Sequence, residues 1–205
     1  MWSLAEYRIV FVAVGLMGVV GFSVPSAVMV VRLSGGERFS ELYVLGPGHM
    51  AEGYPFNVSM GNYYLVYLGV GNHLGSAAYY EVRLKLRNSA DALPNATSGV
   101  ASSLPVLYRY EVFLTDEQTW EGAFNFSFAN VVFGENHTVS SVGMIRINDA
   151  VVNVTKSAVW EGEDSVNGGY FYQLIAELWL HNATSDGFVF HDRFVTLWLN
   201  MTTGF

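Results

Sequence analysis

From Glu41 onward, Gly, Pro or Asn interrupts the chain every ten residues or so, and the segments between are rich in Val, Tyr, Phe, Leu and Trp. Short β-prone runs between regular turn signals predict an all-β fold of the sandwich type. The clearest run is 79–87, where Glu81, Arg83, Lys85 and Arg87 alternate with Tyr80, Val82, Leu84 and Leu86. Period two with one charged face predicts one side to water and the other to the core. Similar runs cover 41–45, 63–70, 105–114, 119–128, 141–147, 151–155, 170–180 and 194–201, with Asn148-Asp149-Ala150 as a short hairpin turn. The run 170–180 also carries a partial helical pattern through Gln173 and Glu177, but Phe171 and Trp179 suit a strand better.

The N-terminal part is of another kind. Residues 9–31 hold no charge and are bracketed by Arg8 and Arg32. As a helix this stretch would extend about 34 Å, enough for a hydrocarbon core of about 30 Å. The competing reading is a cleaved signal peptide ending near Val24-Pro-Ser26, but its apolar region would be shorter. Pro25 removes one helix hydrogen bond, and Ser23 and Ser26 are the candidates to satisfy the freed carbonyl. Gly15, Gly18 and Gly21 follow a spacing of three, which is not the four-residue motif of close helix pairs. The organisation predicted is a membrane anchor over 1–35 and one outer domain over 36–205.

Seven of the 13 asparagines stand in Asn-X-Ser/Thr triplets: Asn57, Asn95, Asn125, Asn136, Asn153, Asn182 and Asn200. Chance placement would give roughly two, and the triplet is the acceptor for N-glycosylation. All seven follow the apolar run, which predicts an extracellular domain behind a single-pass anchor. A glycosylated Asn must point away from the core, and the strand pattern places Asn57, Asn125 and Asn153 on outward faces. Asn95, Asn136 and Asn182 fall in loops. Asn200 shares its face with Trp198 and is the one expected to stay bare.

Charged residues make up 14% of the chain and the net charge is −8. Without a basic stripe, a nucleic-acid partner is excluded. The chain has no cysteine, which removes disulfides, thiolate metal sites and cysteine nucleophiles. Sequons without cysteines suit an archaeal surface protein. His49, His73, His137, His181 and His191 show no metal-binding spacing, although His181 and His191 could meet across a hairpin. Glu161, Glu163 and Asp164 form a weak calcium candidate, read as a solvated loop. No Ser sits in a nucleophile elbow or pairs with a His by local pattern. Neither catalytic residue nor cofactor nor metal is assigned.

Five stretches taken together, Glu41-Leu-Tyr-Val-Leu-Gly46, Ala51-Glu-Gly-Tyr-Pro55, Gly69-Val-Gly-Asn-His73, Gln118-Thr-Trp-Glu121 and Leu197-Trp-Leu-Asn200, resemble an archaeal membrane-protein family known as domain of unknown function 1616. The resemblance runs over about 36–202. It implies an immunoglobulin-like β-sandwich after a transmembrane helix, and it implies no catalytic residues. Members usually carry several membrane helices before this region, and an acidic residue where Leu74 stands here. The expected function is a non-catalytic structural or interaction module of a cell-surface or membrane assembly. Its expected partners are membrane lipid through 9–31, other surface proteins and N-linked glycans. Two alternatives stand beside it: a filament subunit assembling by strand addition after cleavage near Ser26, and an accessory subunit of a membrane enzyme complex. Partner contacts are expected on sequon-free surfaces such as the charged face of 79–87.

Overall fold

A computed structural model describes residues 4–33, 37–162 and 168–202. The chain divides into two compact units at Arg38/Phe39. The first contains one helix, α1 (Leu4–Leu33). Side chains are described there only for Tyr7, Arg8, residues 10–21 and Ser23, so the predicted span 9–31 lies partly outside the described residues. Among the described residues no helix is long and apolar enough to cross a membrane. Ser23 Oγ donates to the Val19 carbonyl at 2.7 Å, one turn back, and not to the Gly21 carbonyl that Pro25 frees.

The second unit is all-β, in strands β1 (Phe39–Leu45), β2 (Asn57–Val58), β3 (Tyr64–His73), β4 (Ala78–Asn88), β5 (Tyr108–Leu114), β6 (Thr119–Phe133), β7 (Val139–Ile147), β8 (Ala150–Glu161), β9 (Gly169–Asn182) and β10 (Gly187–Met201). Two ladders form, β1-β3-β6-β7-β8 and β2-β10-β9-β4-β5. Instead of two separate stacked sheets, as an immunoglobulin-like sandwich has, they join where Trp160 and Glu161 of β8 pair with Tyr170 and Gly169 of β9. The result is one ten-stranded sheet curled into a half-barrel. The run 170–180 is strand, as its aromatics suggest. The turn between β7 and β8 rests on Asn148 at φ 49°, a left-handed conformation that Asn tolerates better than most residues.

The core lies inside the curl. Val66, Leu68 and Val70 of β3 and Phe124, Phe126 and Phe128 of β6 meet Val82, Leu84, Leu174 and Leu178 from the other ladder. Three inward tyrosines fasten one ladder to the other, Tyr80 and Tyr172 buried and Tyr110 half-buried, each spending its hydroxyl on a polar partner. Tyr80 of β4 donates to Asn72 Oδ1 at 3.0 Å. Tyr172 of β9 donates to the Ser140 carbonyl at 2.9 Å. Tyr110 of β5 donates to the Ala123 carbonyl at 2.9 Å and accepts from Asn148 Nδ2 at 2.8 Å. Burial pushes the Tyr110 hydroxyl up to about 12.

Candidate functional site

The charged face of β4 is not a solvent surface. Glu81, Lys85 and Arg87 are buried, as are Gln173 and Glu177 beside them on β9. Residues 89–107 cross over this face and cap it. Lys85 and Glu177, with side chains 3% and 0% exposed, pair at 2.8 Å. Lys85 Nζ also donates to the Ser102 carbonyl at 2.5 Å, and the Ser102 amide donates to Glu177 Oε1 at 2.8 Å. Trp179 Nε1 donates to the other Glu177 oxygen at 3.1 Å. The Arg83 guanidinium lies 3.6 Å from the Trp179 ring centroid, a cation–π contact that holds the layer's edge. Asp91 at the base of the strap pairs with Lys156 of β8 at 2.7 Å. A desolvated ion pair needs such complete partnering to be tolerable. This face is therefore closed to partners, contrary to the expectation from alternation alone.

At the open side of the half-barrel β1 faces β10 across a groove lined by Phe39, Ser40, Glu41, Asp192, Arg193 and Phe194, among others. Among the described residues, β1 pairs with β3 alone, and β10 beyond β9 pairs with β2 alone, at Asn200 and Met201. Behind the groove sits a buried polar chain. Ser40 Oγ is 3.0 Å from His191 Nε2 and 2.7 Å from the Tyr80 hydroxyl. Sequence spacing could not suggest this pair, since 151 residues separate its members.

The pair resembles a nucleophile and its base, but its proton order runs the other way. Asn72 Nδ2 donates to the carbonyls of Ser76, Leu114 and Thr115, which fixes its oxygen toward Tyr80. Tyr80 must then donate to Asn72, Ser40 to Tyr80, and His191 Nε2–H to Ser40, because each hydroxyl has one proton. A histidine donating to the serine cannot take its proton. Burial, helped by Arg193 and opposed by Asp192, lowers the His191 pKa. With Ser40 only 1% exposed, the chain is a seam fastening.

His181 and His191 do not meet. His181 packs on Phe188 and lies 3.6 Å from Asp186. His49 stacks on Tyr67 and bonds to Glu121, while His73 binds Glu117 at 2.8 Å. Among the described residues no three metal-binding side chains converge. Glu161 accepts from Ser89, and its predicted companions Glu163 and Asp164 lie outside the described residues. Asn57, Asn95, Asn125, Asn136, Asn153 and Asn182 are exposed, and Asn200 is half-buried. Asn95 and Asn182 each accept the amide of the sequon Thr, at 3.0 and 2.9 Å. Such Asx turns leave the amide nitrogen toward solvent.

Four of the five quoted stretches converge on β1, β3 and β6. Tyr43 lies across Gly69 and Glu41 across Gly71, and Trp120 covers Gly122, each where a Cβ would collide. Tyr54 reaches back to the Val44 carbonyl at 2.9 Å. The glycines form a floor on which neighbouring side chains lie flat. The family described as domain of unknown function (DUF1616) matches residues 33–140. The chain belongs to this family. The DUF1616 match takes in the glycine floor, Asn72, the strap and the sequons at 57, 95, 125 and 136. Leu197-Trp-Leu-Asn200 and His191 lie beyond it.

No curated protein matches the chain. Among solved structures, a β-glucosidase from Listeria innocua is similar at 10% identity and a TM-score of 0.41, over 80% of this chain and 16% of that one. The CARDB domain of a Pyrococcus furiosus protein, solved with di-metal ions, is similar at 10% identity and a TM-score of 0.39, over 80% of this chain and 90% of that domain. The chain thus spans well under a fifth of the β-glucosidase. At these scores neither likeness bears on fold or chemistry.

Proposed function

We propose that the chain is a membrane-anchored, N-glycosylated, non-catalytic module of an archaeal cell-surface or membrane assembly. Its outer domain is a variant immunoglobulin-like sandwich, and lipid holds it through residues 9–31. The observation that carries the reading is the exposure of six of the seven sequon asparagines, all on the β unit. Solubility is the physical reason: the chain is 14% charged, several of those charges are buried in the β4–β9 layer, and glycans would supply the polar surface. The proton order at Ser40 supports a role without catalysis. The test is fractionation of the native protein. Retention in membranes after carbonate washing, with release by detergent, fits the anchor; recovery in the soluble fraction overturns it.

The filament reading draws on a different observation, the two strand edges that face the groove between β1 and β10 and have no strand partner there among the described residues. An extended segment could add there, main chain to main chain. N-terminal sequencing that begins near Ala27 in native material would favour this reading over the anchor.

A further inference from the structure

Phe56, just before β2, Phe171 of β9 and Trp198 of β10 form an aromatic patch, with Phe56 and Trp198 exposed and Phe171 half-buried between them. Phe56 and Phe171 have ring centroids 6.3 Å apart, and Phe171 and Trp198 meet edge to face at 6.4 Å. Phe56 is 48% and Trp198 47% exposed. Two sequons enter the same patch, for Asn57 pairs with Asn200 and Asn200 with Phe171 across the sheet. Their amides are not equivalent. Asn200 lies over Gly169, accepts the Tyr170 amide through Oδ1 at 3.2 Å and donates Nδ2 to Asn57 Oδ1 at 3.2 Å. Both ends of the Asn200 amide are used. Asn57 is exposed, and among the described residues its side chain makes that one bond, through its oxygen, which leaves Nδ2 available.

We infer that Asn57 carries the glycan and Asn200 does not, and that the first sugars on Asn57 lie across Phe56, Phe171 and Trp198. This rests on the glycosylated-surface reading above. The bond formed joins Asn57 Nδ2 to the anomeric carbon of the first sugar. The bond broken links that carbon to a lipid-phosphate donor, which leaves as the lipid phosphate while the amide proton passes to a base. Sugar C–H faces stack on aromatic rings, so the patch and the glycan cover each other.

The experiment is glycopeptide mass spectrometry of the native protein, followed by hydroxyl-radical labelling of Trp198 in wild type and in Asn57→Gln, Ser59→Ala and Asn125→Gln variants made in the source organism. Ser59→Ala removes the sequon while keeping the Asn57 side chain and its bond. Expected are sugar on Asn57, a bare Asn200, and Trp198 labelling raised by about twofold or more in both sequon-57 variants but not in Asn125→Gln, since a half-exposed ring loses much of its contact with water under a sugar. Sugar elsewhere with Asn57 bare overturns this inference alone. Sugar at none of the seven overturns the glycosylated reading with it. An occupied Asn57 with unchanged Trp198 labelling also overturns the stacking.

Discussion

β4 and β8 read alike in sequence, each alternating apolar and polar residues, yet their polar faces meet different fates. On β8 the side chains of Val151, Asn153, Thr155 and Ser157 are exposed, while Val152 and Val154 turn inward. On β4 the inward Val82 and Leu84 are buried, and so are the outward Glu81, Lys85 and Arg87. Alternation fixes which side of a sheet a residue occupies. It does not say what lies above that side. Residues 89–107 cap β4, whereas among the described residues the outward side chains of β8 stay exposed.

The largest effect that sharpens this contrast is expected from Lys85→Met. It leaves Glu177 buried and charged without its partner, which should cost about 3–5 kcal/mol in denaturant unfolding. Lys156→Met, which breaks the shallower pair with Asp91, should cost about 1 kcal/mol or less. Equal losses would mean that the layer under the strap is wet. Adding Glu177→Gln to Lys85→Met should recover most of the loss, because Gln keeps an acceptor for the Ser102 amide without the charge.

Gly69→Ala comes next. Its Cβ would displace the Tyr43 ring, at about 1–3 kcal/mol, and Tyr43→Ala in the same chain should cancel most of that. The seam adds a pH dependence. Burial, followed by Arg193, holds the folded His191 pKa below its ordinary value, so the unfolded chain takes up the proton first. The contribution is complete above about 6.5, the unfolded value, and is lost as pH falls through the folded value. His191→Gln should flatten that part of a stability-against-pH curve. The smallest effect is Asn153→Gln on the open face of β8, within about 0.5 kcal/mol in unglycosylated protein.

Much of this was legible in the residues. The strands were, because Val, Tyr and Phe alternate over most of them, and so was the outward aspect of Asn57, Asn125 and Asn153. The unusual status of Asn200 showed in its sharing a face with Trp198. What the alternation of 79–87 could not reveal was the strap, since 89–107 is mostly small and polar and has no period of its own. Nor could spacing bring Ser40 to His191, which closure of the curl alone accomplishes. The joining of the ladders at Trp160 and Tyr170 was equally hidden, because β8 gives no local sign of passing from one to the other.

The central proposal, that the β domain faces outward on a glycan-covered surface, can be tested by sidedness. The chain has no cysteine, so Asn125→Cys provides a single thiol at an exposed position. A membrane-impermeant maleimide applied to intact cells should label it as fully as after lysis. Labelling only after lysis would contradict the account.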